Sequence, residues 1–201
     1  MSAYLREKGF NGFITAYNNW LSPAAHASRG QFDWVDIHSY HSEPTKWVEP
    51  GSVLPQTSAI EGGARYIQNI AISRHFGKPF TVSEYGHIFW NRYRRESSIL
   101  APAYASLQEW DGICQHSSAV ALRYWKEDGK NTALHPYFVG IDPIARAAEV
   151  LAWFLYVRGD VAPAKNTFSV NLNSDFVYER SGQLWSMPAD TSQMGLITKI
   201  G

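Results

Sequence analysis

Among the acidic residues, Glu84 has the sequence surroundings that best fit a catalytic carboxylate. It directly follows an apolar run at residues 79–83, within KPFTVSEYG, and this run predicts a buried strand. Functional groups collect at the carboxyl ends of parallel strands, because the loops there can vary without disturbing the core. A carboxylate at this point can serve as a nucleophile or a proton donor. The alternative is a solvated loop acid, which is the ordinary explanation for an isolated Glu.

Polar side chains also stand at the ends of three other predicted strands, at residues 12–17, 34–38 and 112–116. They are Asn18 for the first strand, His38, Tyr40 and His41 for the second, and His116 for the third. A nucleophilic carboxylate must stay ionised, so it needs hydrogen bonds to its charged form, and a hydroxyl such as that of Tyr40 can supply one. The alternative for Tyr40 is a packed ring with its hydroxyl in water.

Helical patterns alternate with these strands, and this rhythm is typical of a parallel α/β architecture. A short helix is predicted near residues 23–28, and another over about 97–110. A further helix has an apolar stripe formed by Ile60, Ala64, Ile67 and Ala71. The last helix is predicted to begin at the N-cap Asp142 with Pro143 in its first turn and to end at Gly159. Its predicted stripe consists of Ile144, Ala148, Leu151 and Leu155.

Four segments resemble retaining glycoside hydrolases built on (β/α)8 barrels. VDIHSYH resembles the sixth strand of that clan, where a His and a Tyr flank the active site. GKPFTVSEYG resembles the seventh strand, which ends in the nucleophilic Glu. QEWDGICQHS is similar to the step from a helix to the eighth strand, and FLYVRGDVAPA is similar to the end of the last helix.

The resemblance implies an α/β fold in which residues 1–165 form a half TIM (β/α)8 barrel, strands five to eight. Residues 166–201 lack helical periodicity and are expected to begin a β-rich accessory segment. A complete barrel typically needs about 250 residues, so a chain of 201 residues is short for one.

The same resemblance implies hydrolysis of O-glycosidic bonds in a poly- or oligosaccharide by double displacement, with Glu84 as the nucleophile. This chemistry uses two carboxyl groups about 5–5.5 Å apart. In the clan, the acid/base Glu follows an Asn at the end of the fourth strand, and Asn18-Asn19 here has no such Glu. The second carboxylate is therefore expected to be missing from this chain, although Glu43 and Glu49 lie in a loop that could approach Glu84.

Seven side chains are predicted to bind the carbohydrate substrate. They are Asn18, His38, Tyr40, His41, Trp90, His116 and Trp125. An exposed indole provides a flat face on which a sugar ring can stack, but each Trp could equally pack against the rim of the barrel. We expect neither a cofactor nor a metal ion, because no pair of histidines has the spacing of a helical metal site.

The composition excludes several other partners. Eighteen basic and 18 acidic residues give a net charge of zero, so the chain lacks the excess positive charge that binds a nucleic acid or an anionic membrane. No apolar run approaches the roughly 20 residues of a membrane span, and the single Cys114 cannot form an intrachain disulfide. The sequence does not indicate the cellular compartment, because a secreted or periplasmic parent enzyme would carry its signal peptide outside this chain.

A half barrel exposes strand edges, so we expect the chain to form a homo-oligomer or to pair with a missing N-terminal half. Two other functions remain open. One is a non-catalytic carbohydrate-binding remnant or half-barrel assembly module. The other is an unrelated barrel enzyme, such as an aldolase or a metal-dependent hydrolase, which only fold analogy supports.

Overall fold

The computed structural model of this chain describes residues 2–46, 51–88, 90–116, 137, 140, 142–180 and 182–201. In chain order its elements are α1 (Ser2–Glu7), α2 (Pro23–Arg29), β1 (Val35–His41), α3 (Arg65–Ala71), β2 (Phe80–His87), a 3-10 turn (Arg94–Glu96), α4 (Ser97–Gln108), β3 (Gly112–Gln115), α5 (Pro143–Ala152) with a π-helical continuation (Trp153–Val157), β4 (Thr167–Phe168), α6 (Ser174–Arg180), α7 (Ala189–Ser192), a second 3-10 turn (Gln193–Leu196) and β5 (Lys199–Ile200).

The fold is mixed α/β, as the sequence predicts. Strands β1, β2 and β3 form a parallel sheet in that order, and β4 pairs in parallel with β5 in a second, two-stranded sheet. Helices α3 and α4 cover one face of the larger sheet, where Val35, Ile37 and Phe80 are fully buried. No closed barrel occurs within the described ranges, and no helix in them is long and apolar enough to cross a bilayer.

The predicted strand at residues 12–17 is wrong, because no strand forms there. The segment is held by a side chain instead: the backbone N–H of Ile14 donates to the Asp33 carboxylate at 2.8 Å. Tyr17 has a φ of 63°, which ends the extended path. The segment still runs beside β1, since the Asn18 carbonyl accepts from the N–H of His38 at 2.6 Å.

Helix α3 begins later than its predicted apolar stripe. The carboxylate of Glu96 accepts hydrogen bonds from the backbone N–H groups of Ala59 and Ile60 and so holds this stretch in a turn. Ile60 is consequently 59% exposed. Ala64 has a φ of 52° and stands as the N-cap, so the helix includes only the second half of the stripe.

Helix α5 begins where predicted, but of its predicted stripe only Ala148 is buried. The Asp142 side chain accepts from the N–H of Ile144 at 3.1 Å, which confirms the cap. Ala145 and Ala148 are the buried residues, because small side chains let α5 approach α4 closely. The predicted stripe is therefore wrong for Ile144 and Leu151, which are exposed.

Residues 166–201 contain more helix than strand, so the expectation of a β-rich segment is wrong in its composition. The segment packs on the same core as the larger sheet: Ile200 is fully buried in it. The side-chain amide of Gln108 donates to the carbonyls of Gly195 and Thr198 at 2.6 and 2.5 Å. The assignment of this segment to a separate domain stays a prediction.

Candidate active site

Glu84 lies inside β2 rather than beyond its end. The predicted strand stopped at residue 83, but β2 continues to His87, because β1 pairs with it again beyond a shift in register between Asp36 and His38, and Glu84 then lies opposite His38. The Glu84 side chain is 32% exposed at the carboxyl half of the sheet. A carboxylate in this position is held by a strand on each side and still reaches solvent.

Three side chains from the neighbouring chain segments converge on one oxygen of Glu84. The Tyr40 hydroxyl donates a short hydrogen bond to Oε2. His38 Nδ1 lies 3.4 Å from the same oxygen, and His116 Nδ1 lies 3.9 Å from it. Within the described part of the chain, Oε1 accepts no hydrogen bond. Among the described residues, the contacts of this site therefore fall on a single carboxylate oxygen of Glu84.

A buried carboxylate orients His38 through a serine. The Asp36 carboxylate accepts from the Thr81 hydroxyl at 2.5 Å and from the Ser83 N–H at 3.1 Å. The Ser83 hydroxyl lies 2.5 Å from Asp36 and 2.7 Å from His38 Nε2. Since that hydroxyl has a single proton and donates it to Asp36, it accepts from His38. His38 therefore carries a proton on Nε2 and turns Nδ1 toward Glu84.

Asp36 is ionised in this network. Burial raises the pKa of its carboxyl, but hydrogen bonds from His38, Ser83 and Thr81 outweigh burial and hold the pKa below its ordinary value. The Asn18 amide donates a weaker hydrogen bond to Asp36 at 3.4 Å. The negative charge of Asp36 therefore lies behind His38, on the side away from Glu84.

The tyrosine beside Glu84 stays protonated. Burial, together with the hydrogen bond to Glu84 and its charge, raises the pKa of Tyr40 far above its ordinary value. Tyr137 packs edge-on against Tyr40 with ring centroids 4.8 Å apart. Burial and the charges of Glu43 and Glu84 raise the pKa of Tyr137 to about 12. Tyr40 is thus a fixed hydrogen-bond donor to the carboxylate over the whole physiological range.

The other residues that the sequence predicts for the site are not among the described residues that contact Glu84. His41 occupies the opposite face of β1, where its Nε2 donates to the Thr57 carbonyl at 2.9 Å and its ring packs against His87. Trp90 is 55% exposed with a φ of 84° and does not line the cavity beside Glu84. Trp125 and Glu49 lie outside the described residues.

Sequence reasoning missed several residues around the site. Asp36 and Ser83 were not selected, although a carboxylate inside the apolar run WVDIH was a usable signal. A cavity of about 480 Å³ next to His38 and Tyr40 is also lined by Trp20 and by Trp185 of the C-terminal segment. Glu43 lines this cavity as well.

The described residues include no group of three or more His, Cys, Asp or Glu side chains placed to hold a metal ion. Comparisons with protein-family models, with curated proteins and with solved structures found no match for this chain.

Proposed function

We propose that this chain is the C-terminal half of the (β/α)8 barrel of a retaining glycoside hydrolase, with Glu84 as the nucleophile. The observation that carries the proposal is the convergence on Glu84 Oε2 of the Tyr40 hydroxyl and of the imidazoles of His38 and His116. A donor on one oxygen favours the ionised carboxylate. The other oxygen then has the charge and the access that attack on an anomeric carbon requires.

The half-barrel proposal draws its support from the order and direction of the chain segments. Three parallel strands follow one another in sequence order, and helices on one face connect them. The segment before α2 runs along the free edge of β1, since the backbone N–H of Asp33 donates to the Ile14 carbonyl at 3.0 Å and the backbone N–H of His38 donates to the Asn18 carbonyl. In the proposed barrel, that segment takes the place of the fifth strand. Polar side chains on the uncovered face, among them Thr81 and Ser83, then line the interior of the barrel.

The acid/base carboxylate belongs to the absent half in this proposal. Retaining hydrolysis needs it to protonate the leaving oxygen and later to activate water. The chain alone is expected to form the glycosyl-enzyme intermediate only with a leaving group that requires no protonation. Turnover of a natural glycoside is expected only after the chain has paired with its missing half.

A panel of dinitrophenyl 2-deoxy-2-fluoroglycosides tests the nucleophile without requiring the missing carboxylate. The dinitrophenolate leaves unprotonated, and the fluorine slows hydrolysis of the covalent intermediate. Mass spectrometry of the digested protein is expected to locate the added sugar on Glu84. Binding of the sugar without any covalent label would favour a non-catalytic carbohydrate-binding remnant instead.

Matched variants sharpen this experiment. Glu84→Gln is expected to abolish the label, whereas Glu61→Gln is expected to retain it, because Glu61 is exposed and does not line the cavity beside the site. Tyr40→Phe is expected to slow labelling about 10- to 100-fold, the range that a lost hydrogen bond to a charged group of about 1.5–3 kcal/mol gives. A label on Glu43 would contradict the assignment of Glu84.

A further inference from the structure

Two exposed tryptophans stand together at the rim of the cavity beside Glu84. Trp20 is 54% and Trp185 68% exposed, and their ring centroids lie 5.9 Å apart at an interplanar angle of 61°. Both line the cavity of about 480 Å³ that His38 and Tyr40 also line. The same cavity therefore joins an exposed aromatic surface to the side chains that contact Glu84.

The backbone at Trp20 is held rigidly although its indole faces solvent. Its carbonyl accepts a hydrogen bond at 2.5 Å from Arg29, a residue with no solvent exposure. The Arg29 guanidinium also donates to the Tyr17 carbonyl at 2.9 Å. Burying an arginine to hold two loop carbonyls fixes the direction in which the Trp20 side chain leaves the backbone.

An arginine also anchors the backbone next to Trp185. Arg65, the first residue of α3, donates to the Ser186 hydroxyl at 2.9 Å and to the Met187 carbonyl at 2.8 Å. Met187 is 3% exposed and belongs to the main core. The two indoles are therefore presented from fixed positions, and a ligand that binds them does not have to order a loop.

Polar groups surround the indoles inside the cavity. Asn19, Asn69 and Glu43 line it. A pyranose ring has a face of C–H groups and a rim of hydroxyls. Indoles complement the face, while amides and a carboxylate complement the rim. A purely apolar partner would leave these polar groups unpaired, at a cost in free energy.

We infer that this cavity is a sugar-binding subsite in which Trp20 and Trp185 hold one unit of an oligosaccharide and direct the next unit toward Glu84. The link to Glu84 rests on the proposed function, whereas the binding of a sugar by the two indoles does not. Trp185 comes from the C-terminal segment, so that segment completes the substrate cleft.

Isothermal titration calorimetry with cellohexaose, xylohexaose, mannohexaose and laminarihexaose tests this subsite on the full chain. At least one hexaose is expected to bind, and Trp20→Ala and Trp185→Ala are each expected to weaken its binding about tenfold. Trp153→Ala is the matched control, because Trp153 is 50% exposed and does not line the cavity. Trp20→Phe and Trp185→Phe are each expected to retain most of the affinity, which separates lost stacking from lost folding.

The outcomes separate this inference from the proposed function. Failure of every hexaose to bind the unaltered chain, or binding by both alanine variants that is as tight as binding by the unaltered chain, overturns the subsite even if Glu84 is labelled. Affinity lost in both alanine variants but kept in Trp153→Ala supports the subsite. If the same chain then gives no label at Glu84, the nucleophile proposal fails and the subsite stands.

Discussion

Helices α3 and α5 differ in how they are held: α3 packs directly on the core of the larger sheet, whereas α5 packs on α4. Helix α3 has no side-chain cap at its N-terminus, yet Ile67 and Ile70 are fully buried. Helix α5 has the Asp142 cap, but Val150 is 56% and Leu151 45% exposed. A cap sets where a helix begins, whereas the burial of its face depends on what lies beside it.

The difference distinguishes a closed flank of the molecule from an open one. On the closed flank, α3 lies between β1 and the 3-10 turn Gln193–Leu196. On the open flank, α5 contacts α4 through alanines and presents large apolar side chains to solvent. In the proposed half barrel, this open surface is where a second copy or the missing half would dock.

The largest expected effect is on the closed flank. Ile70→Ala removes a fully buried side chain and is expected to lower the free energy of unfolding by about 2–5 kcal/mol. Leu151→Ala is the control on the open flank and is expected to change it by no more than about 0.5 kcal/mol in the monomer. Urea unfolding at low protein concentration measures both. Equal effects would remove the distinction between the flanks.

The next effect concerns Asp36, whose carboxylate lies behind the site in β1. Its pKa is lower in the folded chain than in the unfolded one. Its contribution is therefore fully present above the unfolded pKa of about 3.9 and is lost as the pH falls through the folded value. Asp36→Asn is expected to cost about 1–3 kcal/mol at neutral pH. The cost should shrink on acidification, and a pH-independent cost would contradict the ionised state of Asp36.

A smaller effect is expected at the cap of α5. Asp142 is 1% exposed, caps the helix and pairs with Arg94 at 2.5 Å. Asp142→Ala is expected to lower the stability by about 1–2 kcal/mol through loss of the cap. Asp142→Asn keeps a capping oxygen and is expected to recover part of that loss. Thermal unfolding of the two variants separates the contribution of the helix cap from that of the ion pair with Arg94. An equal loss of stability in both variants would assign the whole effect to the ion pair.

Leu151→Ser is expected to have the smallest effect on folding stability. It is expected to have a clear effect on self-association. The substitution removes exposed apolar surface from the open flank, so the monomer should keep its stability to within about 0.5 kcal/mol. Sedimentation velocity is expected to detect self-association of the unaltered chain and less of it in the variant. A chain that stays monomeric at every concentration would count against pairing with a second copy.

Most of the site could be predicted from the polar residues that follow the predicted strands. Glu84, Tyr40, His38 and His116 were selected because each stands at the end of a short apolar run, and the structure brings these four together. The sequence predicts a strand at residues 12–17 that does not form, because the carboxylate of Asp33, 19 residues away from Ile14, accepts the hydrogen bond that a strand ladder would have formed.

By itself the sequence determined the local features: the parallel α/β rhythm, the start of α5 at Asp142, and a carboxylate on a buried strand. These depend on neighbours a few residues apart, which apolar period and capping chemistry specify. Only the tertiary structure decided that Ser83 joins Asp36 to His38 and that Trp185 meets Trp20. Such contacts arise when segments far apart in the chain pack on one core, and no local pattern encodes which side chains then become neighbours.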